Sequence, residues 1–169
     1  IFSEIVFSWV FFGTCLVKFI GVHDIININI YRMNNTFSGL SIVATPIGNL
    51  DDITYRAVKI LKNCDIVICE NPKHSLKLLN KLGIKKKLIA LHDYNEHKII
   101  SHIKILLKNK NCVLISDAGS PLISDPGYNL VQYCIENNIE VTSVPGPSSI
   151  ISSLQLSGLP ISEFTFLGF

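Results

Sequence analysis

The sequence predicts an α/β fold in which a mostly parallel sheet carries helices on both faces. Five short apolar runs rich in β-branched residues alternate along the chain with segments whose apolar residues recur at helical spacing. Clusters of Gly, Pro, Ser and Asp follow the first, fourth and fifth of these runs, where a strand must end before the next helix begins. Such alternation implies right-handed crossovers between buried parallel strands.

The predicted strands share a core of Val, Ile and Leu, and they span residues 40–44, 65–69, 87–91, 112–115 and 140–144. The helices between them are predicted at residues 51–62, 74–82, 95–108 and 127–137. Asp51 and Asp52 offer N-caps for the first of these helices. A last helix ends near Gly158, and residues 164–169 form one more extended segment, within which the chain stops.

The first 38 residues are predicted to be an extension outside the α/β domain, which spans residues 39–163. Residues 5–17 are a thirteen-residue stretch without a charge, shorter than the roughly 18 apolar residues of a membrane-spanning helix. No basic segment precedes the stretch and no small-residue cleavage pattern follows it, as a signal peptide requires. The extension is expected to be non-native or unstructured, with the natural start at Met33. A membrane anchor is the alternative.

The charges are distributed unevenly along the chain. Residues 56–110 carry thirteen Lys or Arg and four acidic residues, whereas residues 111–169 carry five acidic residues and no Lys or Arg. This polarity favours one face that suits a phosphate backbone and another that does not. The alternative is that lysines on the outer faces of several helices only keep the protein in solution.

The cysteines indicate reduced, packed thiols in a cytoplasmic protein. Their number, five, is odd, and those of the α/β domain lie in or beside apolar runs. The chain has no C-x-x-C pair and no Cys/His spacing typical of a metal site. A disulfide framework and a zinc site are therefore not expected, and no metal is assigned.

Three loops with the sequences TPIGN, SDAGSPLISDPG and PGPSS follow the first, fourth and fifth predicted strands. Because parallel strands end at the same edge of a sheet, these loops can converge on one pocket. None of them contains the glycine patterns of dinucleotide or triphosphate sites. The pocket therefore suits a ligand held by main-chain groups and hydroxyls better than a nucleoside triphosphate with magnesium. Ordinary long turns are the alternative.

Five segments in this order resemble the N-terminal domain of the small-subunit ribosomal RNA methyltransferases of the tetrapyrrole methylase superfamily. They are LSIVATPIGNLDDIT, CENPKH, LIALHDYNE, LISDAGSPLISDPG and VPGPSS. The resemblance runs almost continuously from residue 40 to residue 169 and leaves residues 1–39 out. It implies a domain of the tetrapyrrole methylase fold, followed from residue 164 by the start of a linker to a second domain that is absent here.

The resemblance implies that S-adenosyl-L-methionine is the methyl donor and that a cytidine ribose 2′-hydroxyl of 16S rRNA is the acceptor. Such proteins act in the cytoplasm on the small ribosomal subunit and are homodimers when full length. They fold the donor between two domains, so the single domain is expected to be inactive alone.

Carried over position by position, the resemblance implies that seven residues of the three loops contact the donor. They are Pro46, Gly48, Gly119, Ser120, Ile123, Ser148 and Ser149. Relatives often have an acid at the position of Ser120. Glycine lets a ligand approach the main chain, and hydroxyls bond a carboxylate or a ribose without adding a charge beside a sulfonium. For Ser148 and Ser149, capping of the next helix is the alternative.

The resemblance also implies that Glu70, Lys73 and His74 grip RNA phosphate or orient the 2′-hydroxyl. Relatives usually have Asp and Thr where this chain has Asn71 and Pro72, which puts in doubt any mechanism that needs a second carboxylate. For His74, solvent contact in the first turn of a helix is the alternative.

Methyl transfer to a hydroxyl is a direct displacement that a general base assists. By residue type, the candidates for this base are Glu70, His74, His92 and Asp117, and Asp93 lies at the same sheet edge. The sequence does not rank them. The predicted catalytic set consists of Glu70, Lys73, His74 and Asp117.

Two other functions compete with this interpretation. A porphyrinoid methylase of the same superfamily would offer an apolar trough for a macrocycle, whereas residues 73–110 offer lysines. A truncated or decayed copy would fold without catalysing a reaction, and Asn71 and Pro72 favour that alternative.

Overall fold

The computed structural model describes residues 7–12, 15–20, 39–92 and 94–168. Strands β1 (Phe7–Phe12) and β2 (Cys15–Ile20) form an antiparallel hairpin, in which Phe7 is opposite Ile20 and Phe12 is opposite Cys15. Residues 1–6 and 21–38 lie outside the described residues. The expectation that residues 1–38 are foreign to the domain therefore stays a prediction.

The body of the protein is a five-stranded sheet in which every pair of neighbours is parallel. Its strands are β3 (Leu40–Val43), β4 (Ile66–Cys69), β5 (Lys87–Ala90), β6 (Cys112–Ile115) and β7 (Val141–Val144), in the spatial order β5-β4-β6-β3-β7. Strands β4 and β6 are buried at every residue, as expected where helices cover both faces of a sheet. The predicted α/β class with a parallel sheet is confirmed.

Five α-helices connect and follow these strands. They are α1 (Tyr55–Asn63), α2 (Pro72–Lys81), α3 (Glu96–Leu107), α4 (Tyr128–Glu136) and α5 (Ser149–Leu156). Within the described part of the chain, no helix has the length and apolar character needed to cross a membrane.

Two apolar cores show which face each helix covers. On one face Ala57 and Leu61 of α1 pack with Leu79 of α2 against Val67 and Val113 of the sheet. The opposite face is buried by residues of α3 and α4, among them Ile103, Leu107, Leu130 and Cys134. Strand side chains alternate between the two cores, as the period of two requires.

The sheet order places a reversal of direction between β3 and β6. From β3 the chain crosses to β4 and β5 on one side, and from β6 it crosses to β7 on the other side. The loops that leave β3 and β6 therefore diverge toward opposite faces of the sheet. In open α/β sheets, the crevice at such a switch point is where ligands bind.

The predicted cap of the first helix is wrong. Asp51 and Asp52 belong to a 3-10 turn, Leu50–Asp52, which the Asn49 side chain caps by accepting from the amide of Asp51 at 3.1 Å. Helix α1 begins later because Thr54 is its N-cap, and Thr54 Oγ1 accepts from the amide of Ala57 at 3.1 Å.

The C-terminal part of the described chain is less buried than the sheet. Helix α5 buries none of its residues. Residues 164–168 lie in no helix or strand, and Phe164, Phe166 and Leu167 are exposed.

The cysteines of the domain are free and buried. Cys64, Cys69, Cys112 and Cys134 form no disulfide, and burial raises the pKa of each thiol, to about 12 for Cys112. They remain protonated at neutral pH and are packed in the interior, as predicted, whereas their reduced state stays a prediction.

Candidate active site

The three loops predicted to converge do meet at the carboxyl edge of the sheet. Strands β6, β3 and β7 are adjacent, so the loops that follow them are neighbours. The Thr45 amide donates to the Gly119 carbonyl at 2.8 Å, and the Gly119 amide donates to the Thr45 carbonyl at 3.0 Å. On the other side of β3, the Ala44 amide donates to the Val144 carbonyl at 3.2 Å. The first loop is thus bonded to the central loop and lies beside the third.

Gly119 lies where all three loops come together. Its φ of +80° is in the left-handed region, which glycine adopts without a Cβ clash. A Cβ at this position would be 3.4 Å from Ile47 Cγ2 of the first loop and 3.9 Å from the Pro147 carbonyl of the third. The space beside Gly119 is therefore bordered by the first and third loops, and it is the left-handed backbone, not a lack of room, that favours glycine here.

Gly48 has the opposite surroundings. It is exposed, its φ is +154°, and a Cβ built on it would meet no atom within 4 Å. A ligand can reach the main chain here. Pro46, two residues earlier, is buried. Of the two first-loop residues predicted to contact the donor, the structure exposes only Gly48.

Two hydroxyls stabilise the junction of the first and central loops. Thr45 Oγ1 donates to the Ser116 carbonyl at 3.2 Å inside the protein. Ser116 Oγ lies 3.3 Å from the carbonyls of Ala118 and Gly119 and donates toward them. These hydroxyls satisfy buried backbone carbonyls and hold the loop in shape.

The central loop contains two non-glycine residues in the left-handed region, Leu122 with φ of +74° and Ser124 with φ of +66°. Such a conformation costs roughly 1–3 kcal/mol per residue and persists only where the surroundings impose it. The strained stretch includes Ile123, whose side chain is half exposed. Ser120 is partly buried beside it. The loop thus presents both residues at the edge of the sheet.

The third loop leads into α5 without a side-chain cap. Ser148 occupies the N-cap position and is partly buried, but its hydroxyl makes no capping hydrogen bond. Ser149 is the exposed first residue of the helix. The capping role considered for Ser148 is not seen, and its hydroxyl remains suited to a ligand.

Among the predicted catalytic residues, Glu70 comes directly after β4 and is partly buried. Lys73 and His74 follow it in the first turn of α2, and both are exposed. Asn71 caps this helix, because its Oδ1 accepts from the amides of Lys73 at 3.1 Å and His74 at 3.4 Å. Pro72 takes the first helical position, which favours proline. The two departures from the related sequences thus form a stable helix start.

Asp117 lies two residues after the end of β6 and connects the β4 side of the site with the central loop. Its Oδ1 is buried and has no hydrogen-bond partner among the described residues. Its negative charge acts on Cys69 at the end of β4 and on Asp125 at the far end of the central loop. A buried carboxylate oxygen without a donor is a strong acceptor for a ligand.

Asp125 was missed by reasoning from the sequence. Burial raises the pKa of Asp125, a hydrogen bond from Ser116 lowers it, and the charge of Asp117 raises it. The signal in the sequence was the second Asp of SDAGSPLISDPG. What the sequence did not show is that the loop folds back and brings both carboxylates to one place.

His92 lies at the outer side of the site. It follows β5, the edge strand, which is three strand spacings from β3, or roughly 14 Å at about 4.8 Å each. Its ring lies 6.1 Å from that of Tyr94, and its buried Nδ1 has no partner among the described residues. Asp93 lies outside the described residues. His92 is thus farther from the Thr45–Gly119 junction than Asp117 is.

A separate concavity lies between α3 and α4, with a volume of about 340 Å³. Asn129 Nδ2 donates to Glu96 Oε2 there at 2.9 Å, and Lys104 Nζ lies 4.2 Å from the centre of the Tyr133 ring. None of the residues predicted to bind donor or acceptor lines this concavity.

A parallel sheet with three converging loops at a switch point is typical of ligand-binding α/β domains. A comparison with protein families shows which family of such domains this one belongs to. The family described as tetrapyrrole (corrin/porphyrin) methylases matches residues 39–167, so the chain belongs to this family. The match includes all three loops, α2 and both carboxylates of the central loop.

The curated relatives with high similarity are named ribosomal RNA small subunit methyltransferase I. The protein of Thermotoga maritima is 50% identical over 131 residues, which cover 77% of this chain and 59% of the relative. The protein of Rickettsia prowazekii is 52% identical over 133 residues, covering 78% of this chain and 48% of the relative. The chain spans about half the length of the curated relatives it matches.

A solved structure has the same fold. The uroporphyrin-III-C-methyltransferase of Thermus thermophilus superposes with a TM-score of 0.54 at 20% identity, covering 75% of this chain and 54% of that chain. At this identity the likeness shows the fold alone.

Proposed function

We propose that this chain provides the donor-binding loops of an S-adenosylmethionine-dependent methyltransferase that modifies a cytidine ribose 2′-hydroxyl in 16S rRNA. The observation that carries the proposal is the similarity of residues 39–167, which include the whole candidate site, to relatives named for small-subunit rRNA methylation. Because the matched residues cover only 59% and 48% of those two relatives, the activity of the whole protein is part of the proposal.

The residues of the site fit the proposed donor. S-adenosylmethionine would supply a methyl group on a positively charged sulfur, together with ribose hydroxyls and a carboxylate. The unpartnered Asp117 oxygen can accept from a hydroxyl or face the positive charge. Gly48 offers main chain with open space beside it, and Ser148 offers a hydroxyl not used in capping. We assign Pro46, Gly119, Ser120, Ile123 and Ser149 to the wall around these contacts.

The acceptor chemistry belongs to the β4 side of the site. A bound donor would supply its methyl group to the 2′-oxygen and leave as the neutral thioether, and the hydroxyl proton would pass to a base of the protein. Glu70 and Asp117 follow the adjacent strands β4 and β6, so either carboxylate can take this proton. Lys73 and His74 would hold the phosphate next to the ribose. Positioning of this kind can lower a barrier by about 7–11 kcal/mol in ideal cases.

The proposal implies a location and an assembly. Small ribosomal subunits are cytoplasmic, and four buried, protonated thiols suit a reducing compartment. A homodimer of the full-length protein remains part of the proposal.

A porphyrinoid methylase is the second candidate, because the superposed solved structure is named a uroporphyrin-III-C-methyltransferase. The identity with that structure is 20%, whereas it is 50% with the Thermotoga relative. The difference favours rRNA as the substrate.

Donor binding can be tested by calorimetric titration of S-adenosylmethionine into the chain and into the two-domain chimera that also tests methyl transfer. For methyl transfer, residues 39–167 can replace the matching half of the Thermotoga maritima relative. The chimera should then methylate ribose in small subunits that lack the modification, and the same chimera with Asp117→Asn should be slower. A folded chimera that binds the donor and leaves the ribose unmodified would refute the proposed function.

A further inference from the structure

The two helices on one face of the sheet, α1 and α2, carry basic residues that no acidic residue of the same helices offsets. Neither helix contains an acidic residue, and together they carry six Lys or Arg and one His. Arg56 is engaged, since its Nη2 donates to the Ser143 carbonyl at 2.9 Å. Lys81 is engaged as well, since its Nζ lies 2.6 Å from Asp51 Oδ1. The four other lysines, all exposed, are here called the basic face: Lys59, Lys62, Lys73 and Lys77.

The opposite face of the sheet differs in charge. Lys104 of α3 lies over the Tyr133 ring in a concavity that Glu96 and Glu136 also line. Helix α4 contains one Glu and no Lys or Arg, and α5 has no charged residue. Lysines of α3 therefore share their surface with acidic groups, whereas those of the basic face lie on helices without any.

Helix α2 connects the basic face to the candidate active site at both of its ends. It begins two residues after Glu70, at the end of β4. Its last residue, Lys81, is bonded to Asp51 in the 3-10 turn that follows the first loop. The helix thus extends from the loop after β4 to the segment after β3, and a strand lying along it ends beside Glu70 and Asp117.

We propose that the RNA docks on the basic face, where Lys73 and Lys77 of α2 bind neighbouring backbone phosphates and lead the acceptor nucleotide to the carboxyl edge of the sheet. These lysines are four residues apart, on one side of the helix, and about 6 Å apart along its axis at 1.5 Å per residue. Their contacts would be electrostatic and independent of sequence, so they set position while the loops select the ribose. The inference rests on the proposed rRNA substrate.

The test measures the binding of a short fluorescein-labelled single-stranded RNA to the full chain by anisotropy over a series of KCl concentrations. Each phosphate contact contributes about 0.7 to the slope of log K against log salt on single strands. The variant Lys73→Gln/Lys77→Gln should therefore bind more weakly and lose about 1.4 from that slope. Its matched control, Lys98→Gln/Lys108→Gln, removes the same charge from exposed positions at α3 and should bind as the native chain does.

Equal losses in the two variants would overturn the inference, because binding would then follow net charge alone. No loss in the α2 variant would also overturn it, as would a native chain that binds no RNA at low salt. Thermal unfolding of each variant checks that the fold is kept. Methyl transfer by the Thermotoga chimera separates the two proposals: RNA binding through α2, together with a folded chimera that binds the donor and leaves the ribose unmodified, contradicts the proposed function alone.

Discussion

Thr45 and Gly119 exchange two backbone hydrogen bonds, 2.8 and 3.0 Å long, across the switch point between β3 and β6. The chain leaves these two adjacent strands toward opposite faces of the sheet, so without the bonds the two loops would separate at once. The pair therefore fixes the distance between the first and central loops. The shape of the candidate donor site depends on this junction.

Gly119→Ala is expected to destabilise the protein and weaken donor binding. An alanine in the left-handed region costs roughly 1–2 kcal/mol, and the added Cβ would contact Ile47. Gly158→Ala is the matched control, since its φ of +68° is similar and no atom lies within 4 Å of the added Cβ. Urea unfolding should show comparable losses of stability for both, whereas calorimetry should show weaker donor binding for Gly119→Ala only. Equal donor affinity in both variants would contradict the role given to Gly119.

Thr45→Val should destabilise the protein by about 1–3 kcal/mol, because it removes the hydroxyl that serves the buried Ser116 carbonyl. Thr142→Val is the contrasting variant of the same shape. Thr142 Oγ1 is buried without a partner among the described residues, so its removal should be neutral or stabilising. The expected result in urea is a lower free energy of unfolding for Thr45→Val and an unchanged or higher one for Thr142→Val. Equal losses would mean that shape matters here and the hydrogen bond does not.

The start of α2 tests whether Asn71 is a structural cap. Asn71→Ala removes the acceptor for two helix amides and should cost about 1 kcal/mol. Asn71→Asp restores the residue usual in relatives and should leave the free energy of unfolding within a few tenths of a kcal/mol, since Asn and Asp cap equally well. In the Thermotoga chimera, an increase in methyl transfer with Asn71→Asp would show that the second carboxylate has a catalytic role beyond capping.

The sequence was sufficient to predict the strands and helices of the α/β domain and the sheet edge at which the loops meet. It was not sufficient to predict the helix caps or the contacts between buried side chains. The five strands of the parallel sheet were predicted because short apolar runs rich in β-branched residues are separated by turn residues, whereas β1 and β2 were not predicted. The predicted start of α1 was wrong because four residues near it are of types that commonly cap helices: Asn49, Asp51, Asp52 and Thr54. Only the 3-10 turn, which the sequence did not reveal, decides among them. Asp125 was missed because its properties come from burial beside Asp117, which is a tertiary contact.

Asp125 gives the site a dependence on pH whose sign can be worked out. Burial is the main cause that raises its pKa above the ordinary value of 3.8. The folded state therefore holds this proton more tightly than the unfolded chain does. The favourable contribution of the Asp125 carboxyl to the free energy of unfolding is complete at pH values below its pKa in the unfolded chain. It is lost as the pH rises through its pKa in the folded protein.

Asp125→Asn cannot ionise, so it should gain stability relative to the native chain as pH rises across that window, and the gain should level off above it. The amide keeps an acceptor for Ser116, and the low-pH measurement serves as the internal control because both side chains are then neutral. Urea unfolding from about pH 2.5, where the carboxyl is protonated in both states, to pH 7 measures the difference in the free energy of unfolding between the two proteins. If the difference is constant with pH, or grows as pH falls, Asp125 is not the desolvated carboxyl that its place beside Asp117 indicates.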